Sequence, residues 1–396
     1  MKYPFLPLLI TLSLGSPYLS VANGDSNLDV KTAYRMAEAA KCSYCTDGFM
    51  KTEMSVTKCL QDVRNSPELS GVTDKDVYSW AEDKDGYILV NTPNEVILAM
   101  RGTLPPIPQD GADFITIKDW LNDFTALPDN EGFHSGFIQS WNHIKTNLEQ
   151  ERVKAFLESA LKGNGNKKFM VTGHSKAGAL AIIAAIKMSK RQGWTMQEPD
   201  GVYSFEGARP LTAEGAKPYV GKLTKLYRIE YKDDIVPLVP PGAWLKSHED
   251  QIPPILTKVF SGVNNVAYDS SGLGTLYFID RDNNINLVTD EHAILPSRIQ
   301  NIASAYTNAL SPTEAFRTAV FAKQLPMCLP VENNHTAHVD YLRLKVEGKD
   351  LAPGFFVASS WDKYCNLDML SGALLKDAMH KLGDLCVGPC DFLRNF

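Results

Sequence analysis

Basic residues are not in excess in this 396-residue chain: 40 Lys and Arg stand against 46 Asp and Glu, giving a net charge of -6. That balance argues against nucleic acid as a partner and leaves a neutral or interfacial substrate easier to accommodate. Internal repeats and low-complexity tracts are also missing, and with 44% hydrophobic residues the composition is that of an ordinary globular protein. The one apolar run at the start, Phe5 to Gly15, falls well short of the ~20 residues a spanning helix needs. It follows Lys2 and precedes Ser20-Val21-Ala22, which is the layout of an export signal with its cleavage site. We therefore expect residues 1–22 to be a signal peptide and the mature chain to be secreted.

Cysteines are few as well, seven in all. Cys42, Cys45 and Cys59 lie near the start; Cys328, Cys365, Cys386 and Cys390 lie near the end. In an oxidising destination bridges are expected, with the pairing open and one thiol left over. The first group either carries that thiol or sends a bridge across to the second. Zinc at Cys42-x-x-Cys45 is a poor fit, since no His follows at finger spacing. Asp280-Arg-Asp282-Asn-Asn284 mimics a calcium loop, but Ile285 occupies the position that requires Gly, so a hairpin turn between Leu276–Ile279 and Ile285–Val288 is the better reading. No cofactor or metal is implied.

What the chain does contain is strand alternating with helix. A leading helix is expected over Asp29 to Ala40, then strands at Val77–Trp80, Tyr87–Val90 and Val96–Met100, separated by Asp85-Gly86 and Pro93-Asn94. Phe137 to Phe156 reads as one helix and Phe169–Thr172 as a strand, followed by a helix over Ala177 to Met188. Further strands are expected at Val202–Phe205 and Leu226–Tyr231, and a helical stretch over 293 to 325 with a capping box at Ser311-Pro-Thr-Glu314. Such alternation predicts an α/β fold with a mostly parallel central sheet covered by helices on both faces.

Between a strand and a helix lies Gly173-His174-Ser175-Lys176-Ala177-Gly178. A serine nucleophile at such a junction needs a sharp, strained turn, and the residues two before and two after it must be small so that strand and helix can cross. Gly173 and Ala177 satisfy this, and Ser175 is the candidate nucleophile.

With these residues in view, Val96 to Leu344 resembles the class 3 lipase family, the fungal triacylglycerol lipase type. The likeness is carried in order by Val96-Ile-Leu-Ala-Met-Arg-Gly-Thr103, Asp119-Trp-Leu-Asn-Asp-Phe124, His134-Ser-Gly-Phe137, Val171-Thr-Gly-His-Ser175, Phe205-Glu-Gly-Ala-Arg-Pro210 and Asp234-Ile-Val-Pro237. Ala177 stands where the family usually has Gly, and Lys176 where Leu is commoner. The resemblance implies an α/β-hydrolase fold; it accounts less clearly for the first 90 or so residues and not for the end, and we expect a hydrolase domain over 23–345 followed by a Cys-containing, disulfide-linked C-terminal extension, 346–396.

It further implies a Ser-His-Asp triad that hydrolyses acyl esters through an acyl-enzyme, with Asp234 as the acid. Asp233 reads as a solvated neighbour. His338, in Ala-His-Val-Asp-Tyr-Leu, matches the family's final His-x-x-Tyr-Phe and is the favoured base, with His292 and His335 as alternatives. His134 and His174 read as structural. The backbone amides of Thr103 and Lys176 are the expected oxyanion donors, each worth roughly 3 kcal/mol when removed. The segment from Leu104 to Ile117 occupies the lid position and reads either as a mobile flap or as a packed surface loop. Asn334-His-Thr336 is a glycosylation acceptor on paper, in the loop of the favoured base.

The expected partner is a lipid or acyl-ester substrate at an interface, with transient contact to a lipid surface, no nucleic acid and no obligate protein partner. A phospholipase, a soluble-ester esterase and a catalytically silent secreted binding protein are the rival readings.

Overall fold

The computed structural model describes residues 28–46, 55–82, 84–103, 127–162, 167–192, 196–232, 234–243, 247, 266–308 and 337–352. The signal segment, the lid position, Asp233, His335, the capping box, the glycosylation acceptor and the four downstream cysteines lie outside them.

Eight strands form one sheet in sequential order: β1 (Val77–Glu82), β2 (Asp85–Asn91), β3 (Glu95–Met100), β4 (Lys168–His174), β5 (Gly201–Phe205), β6 (Leu226–Tyr231), β7 (Thr275–Ile279) and β8 (Ile285–Val288). The strands β3 to β7 run parallel, while β1 and β2 at one edge and β8 at the other are antiparallel. The expected hairpin is observed: Ile279 pairs with Ile285, and the Asp280 carboxylate accepts from the amide of Asn284 at 2.9 Å. Parallel neighbours require crossovers, and helices lie in those from β3 to β4 and from β4 to β5.

The helices used below are α1 (Val30–Cys42), α2 (Ser135–Leu148), α3 (Glu151–Lys162), α4 (Lys176–Lys187), α5 (Glu291–Asn308) and α6 (His338–Val346). The single helix expected over Phe137–Phe156 is in fact two. α2 ends at Leu148 with Glu149 as its cap, and the amide of Val153 bonds to Gln150 to start α3. Both halves carry apolar residues at helical spacing, so periodicity alone hid the break.

Alternation along the strands divides the core in two. On one face Val96, Leu98 and Met100 of β3 pack with residues of α2, α3, α4 and α5, among them Trp141, Leu157, Leu180 and Ile299. On the other face Ile97 and Ala99 pack with α1 and α6 through Tyr34, Ala37, Val339 and Leu342. The mostly parallel sheet with helices on both faces, the α/β-hydrolase arrangement expected from the sequence, is therefore observed.

In α1, Asp29 caps the N-terminus by accepting from the amides of Lys31 and Thr32. Its C-terminal end is tied by a Cys42–Cys59 disulfide, while Cys45 is a buried free thiol. The first cysteine group thus supplies one bridge and one unpaired residue.

Candidate functional site

The site is built at the C-terminal ends of the parallel strands, where such sheets present their crossover loops. At the end of β4 the chain turns through Ser175 at φ 63°, ψ -125°, a strained conformation for a residue with a side chain. The turn is held by its neighbours: the Ser175 amide donates to the Phe205 carbonyl at 3.0 Å, and the Gly178 amide donates back to the Ser175 carbonyl at 2.9 Å.

The crossing leaves no room at Gly173, where a Cβ would lie 2.1 Å from the Ala177 carbonyl oxygen. Gly178 is equally constrained, since a Cβ there would come within 2.5 Å of the Gly207 Cα. The methyl of Ala177 is accommodated, fully buried.

Asp234 follows β6 and is completely buried. One carboxylate oxygen accepts from the Val236 amide at 3.0 Å, and its backbone carbonyl accepts from Arg298 Nη2 at 3.3 Å. His338 opens α6, also completely buried, with its ring stacked on those of His174 and Phe205 at 5.2 Å from each centroid. Those two residues end β4 and β5, so His338 stands beside the elbow. His292, by contrast, lies in the first turn of α5 with a side chain 60% exposed and sits 3.8 Å from Asp269. Thr103 ends the segment that leaves β3, and Lys176 is the first residue of α4.

His134 caps α2, is buried, and stacks on Phe137 with centroids 4.2 Å apart; burial pushes its imidazole down to about 4. His174 is buried as well, and its Nδ1 lies 3.0 Å from the Tyr44 hydroxyl.

Several residues at the site were not singled out by the sequence. Tyr44, from the short 3-10 turn after α1, places its hydroxyl between His174 and Gly102, where a Gly102 Cβ would lie 2.0 Å from it. Glu206 stands at φ 47° immediately after β5, with no exposure. Burial first, and then the neighbouring carboxylates of Asp234 and Glu230, hold its carboxyl well above the usual range, with Arg298 opposing. Asp85, a turn residue by composition, is the first residue of β2, and its carboxylate receives the Lys176 ammonium at 2.8 Å.

Among the described residues no group of three His, Cys, Asp or Glu side chains is placed to hold a metal ion, and no helix is long and apolar enough to cross a membrane.

Residues 97–244 match the family model described as Lipase (class 3). Over that stretch the chain is similar to class 3 lipases, in line with the resemblance read from its sequence. It is 28% identical over 157 residues to a secreted mono- and diacylglycerol lipase of Fusarium solani, covering 38% of this chain and 41% of the relative. With a lipase of Rhizopus niveus the identity is 24% over 285 residues, covering 67% and 64% of the two chains. Thus less than two thirds of the length of these curated relatives is matched. A solved structure of lipase II from Rhizopus niveus superposes with a TM-score of 0.45 at 18% identity, covering 68% of this chain and 90% of that one.

Proposed function

We propose that the protein is a secreted serine hydrolase that cleaves carboxylic esters of lipids, with Ser175 as nucleophile, His338 as general base and Asp234 as the acid that orients it. The observation that carries this reading is the elbow: a serine forced to φ 63° between a glycine that tolerates no Cβ and a helix N-terminus, with the buried Asp234 and His338 at the same end of the sheet.

A serine hydroxyl is a weak nucleophile until an imidazole removes its proton, and the resulting imidazolium is steadied by a carboxylate. Attack on the acyl carbon places negative charge on the carbonyl oxygen. The amides of Lys176, at the start of α4, and Thr103 would receive that charge. Collapse expels the alcohol, protonated by His338, and leaves an acyl-Ser175. Water, deprotonated by the same imidazole, then releases the fatty acid.

The name of the Fusarium relative, a secreted mono- and diacylglycerol lipase, supports acylglycerols as substrate and an extracellular destination. The test compares Ser175→Ala, His338→Ala and His292→Ala on a short-chain chromogenic ester, alongside fluorophosphonate labelling of the unaltered protein. Loss in the first two variants with His292→Ala spared is the expected result. A folded protein that neither labels nor hydrolyses the ester would be the silent binding protein instead. A rise in rate when the substrate passes from solution to emulsion separates an interfacial lipase from a soluble-ester esterase.

A further inference from the structure

Lys176 has a side chain that the elbow itself does not require. It turns inward from the first position of α4, and Nζ meets Asp85 Oδ1 at 2.8 Å with the two side chains 5% and 4% exposed. Burying such a pair costs several kcal/mol of lost hydration per ion, which close geometry and further hydrogen bonds must offset. Those further bonds are present. The second Asp85 oxygen lies 3.1 Å from His143 Nδ1 on α2, and the Asp85 backbone carbonyl accepts from Arg101 Nη2 at 3.2 Å. Burial alone would push the Asp85 carboxyl up; the Lys176 ammonium, together with hydrogen bonds from Lys176 and His143, outweighs it and holds the group below its ordinary range.

Arg101 completes the geometry. It is fully buried, its amide donates to the Gly86 carbonyl at 2.8 Å, and it lies two residues before Thr103. The start of β2 therefore grips both pieces of backbone on which the oxyanion donors are expected. One is held through an ammonium, the other through a guanidinium.

We propose that the Asp85 carboxylate and the Lys176 side chain form a brace that fixes the separation of the Thr103 and Lys176 amides, making both side chains positioning residues for the oxyanion. The brace rests on the serine-hydrolase reading above. It touches no substrate, and its action is to keep two donors from drifting apart as charge builds on the carbonyl oxygen. A small displacement matters, because donors contribute only where they meet the oxyanion and not the ground-state carbonyl.

The test uses the full chain and three variants. Lys176→Met keeps the amide and most of the side-chain volume; Asp85→Asn keeps the shape of the acceptor; Lys176→Met with Asp85→Leu removes both charges at once. Replacing a buried pair by apolar residues is often neutral for stability, so the double variant separates folding from positioning. We expect kcat on a soluble ester to fall roughly 10- to 100-fold in each variant, with KM within about twofold. Inhibition by a boronic acid, which mimics the tetrahedral species, weakens in parallel, while melting temperature recovers in the double variant.

Recovery of kcat together with melting temperature in the double variant would mean that the pair is only structural and overturn the proposal. Wild-type kcat in a folded Asp85→Asn or Lys176→Met protein would overturn it too. Should the unaltered protein fail to hydrolyse esters or label with fluorophosphonate, the serine-hydrolase reading falls first and the brace with it.

Discussion

Tyr44 and Gly102 offer a thermodynamic cycle whose sign follows from how closely they approach. A methyl at Gly102 would sit 2.0 Å from the Tyr44 hydroxyl, 3.1 Å from Cζ and 2.7 Å from the His174 carbonyl oxygen. Tyr44 is buried and cannot swing into solvent. Gly102→Ala is thus an overpacking change, expected to cost about 1–3 kcal/mol. Tyr44→Phe removes the hydroxyl 3.0 Å from His174 Nδ1, and taking one partner from a buried hydrogen bond costs about 1–3 kcal/mol. In the double variant the nearest obstacle to the new methyl has gone, although the His174 carbonyl remains. The combined loss should fall short of the sum of the single losses by about 1 kcal/mol or more, inside the range seen for residues in contact. Urea unfolding of the four proteins measures this, provided the m-values agree. Additive losses, or a Gly102→Ala protein as stable as the parent, would show that the hydroxyl does not fill this space.

Other consequences can be checked as directly. Glu206 holds a raised carboxyl, so the folded protein keeps a proton that the unfolded chain releases above roughly pH 4.3, and stability declines as pH climbs from there toward the folded value. Glu206→Gln abolishes that decline: its melting temperature should exceed the parent's at pH 8 and converge with it near pH 4, and a difference that ignores pH would count against a protonated Glu206. Replacing Cys42 and Cys59 by Ala opens a bridge of sequence separation 17 and should cost about 3 kcal/mol by urea unfolding. Because Tyr44 lies two residues beyond Cys42, ester turnover should fall as well. Burial pushes the Cys45 thiol up to about 11, so peptide mapping after iodoacetamide at pH 8 should find Cys45 unmodified in the native protein and alkylated after denaturation.

How far the sequence reached depends on the range of each interaction. The elbow was readable because its geometry is local: Gly173, Ser175 and Ala177 answer steric demands within one turn of chain. Strands β3 to β6 announced themselves as short apolar runs, buried on both faces. The break between α2 and α3 left no such mark. Asp85-Gly86 looked like a turn because of its composition, yet β2 begins there, Asp85 pairing with Glu82. Choosing between His338 and His292 exceeded local pattern altogether, since both lie downstream of the acid and only packing sets one beside His174 and the other toward solvent. Tyr44, Asp85 and the Lys176 ammonium were missed for the same reason: the partners of Tyr44 and Lys176 are 130 and 91 positions away.

The contact between α1 and α6 carries one last implication. The earliest helix of the described chain is the surface on which the helix bearing His338 comes to rest, so segments far apart in sequence must meet before that imidazole can stack on His174. A fragment short of that meeting would carry the bent serine of the elbow without the helix that bears His338.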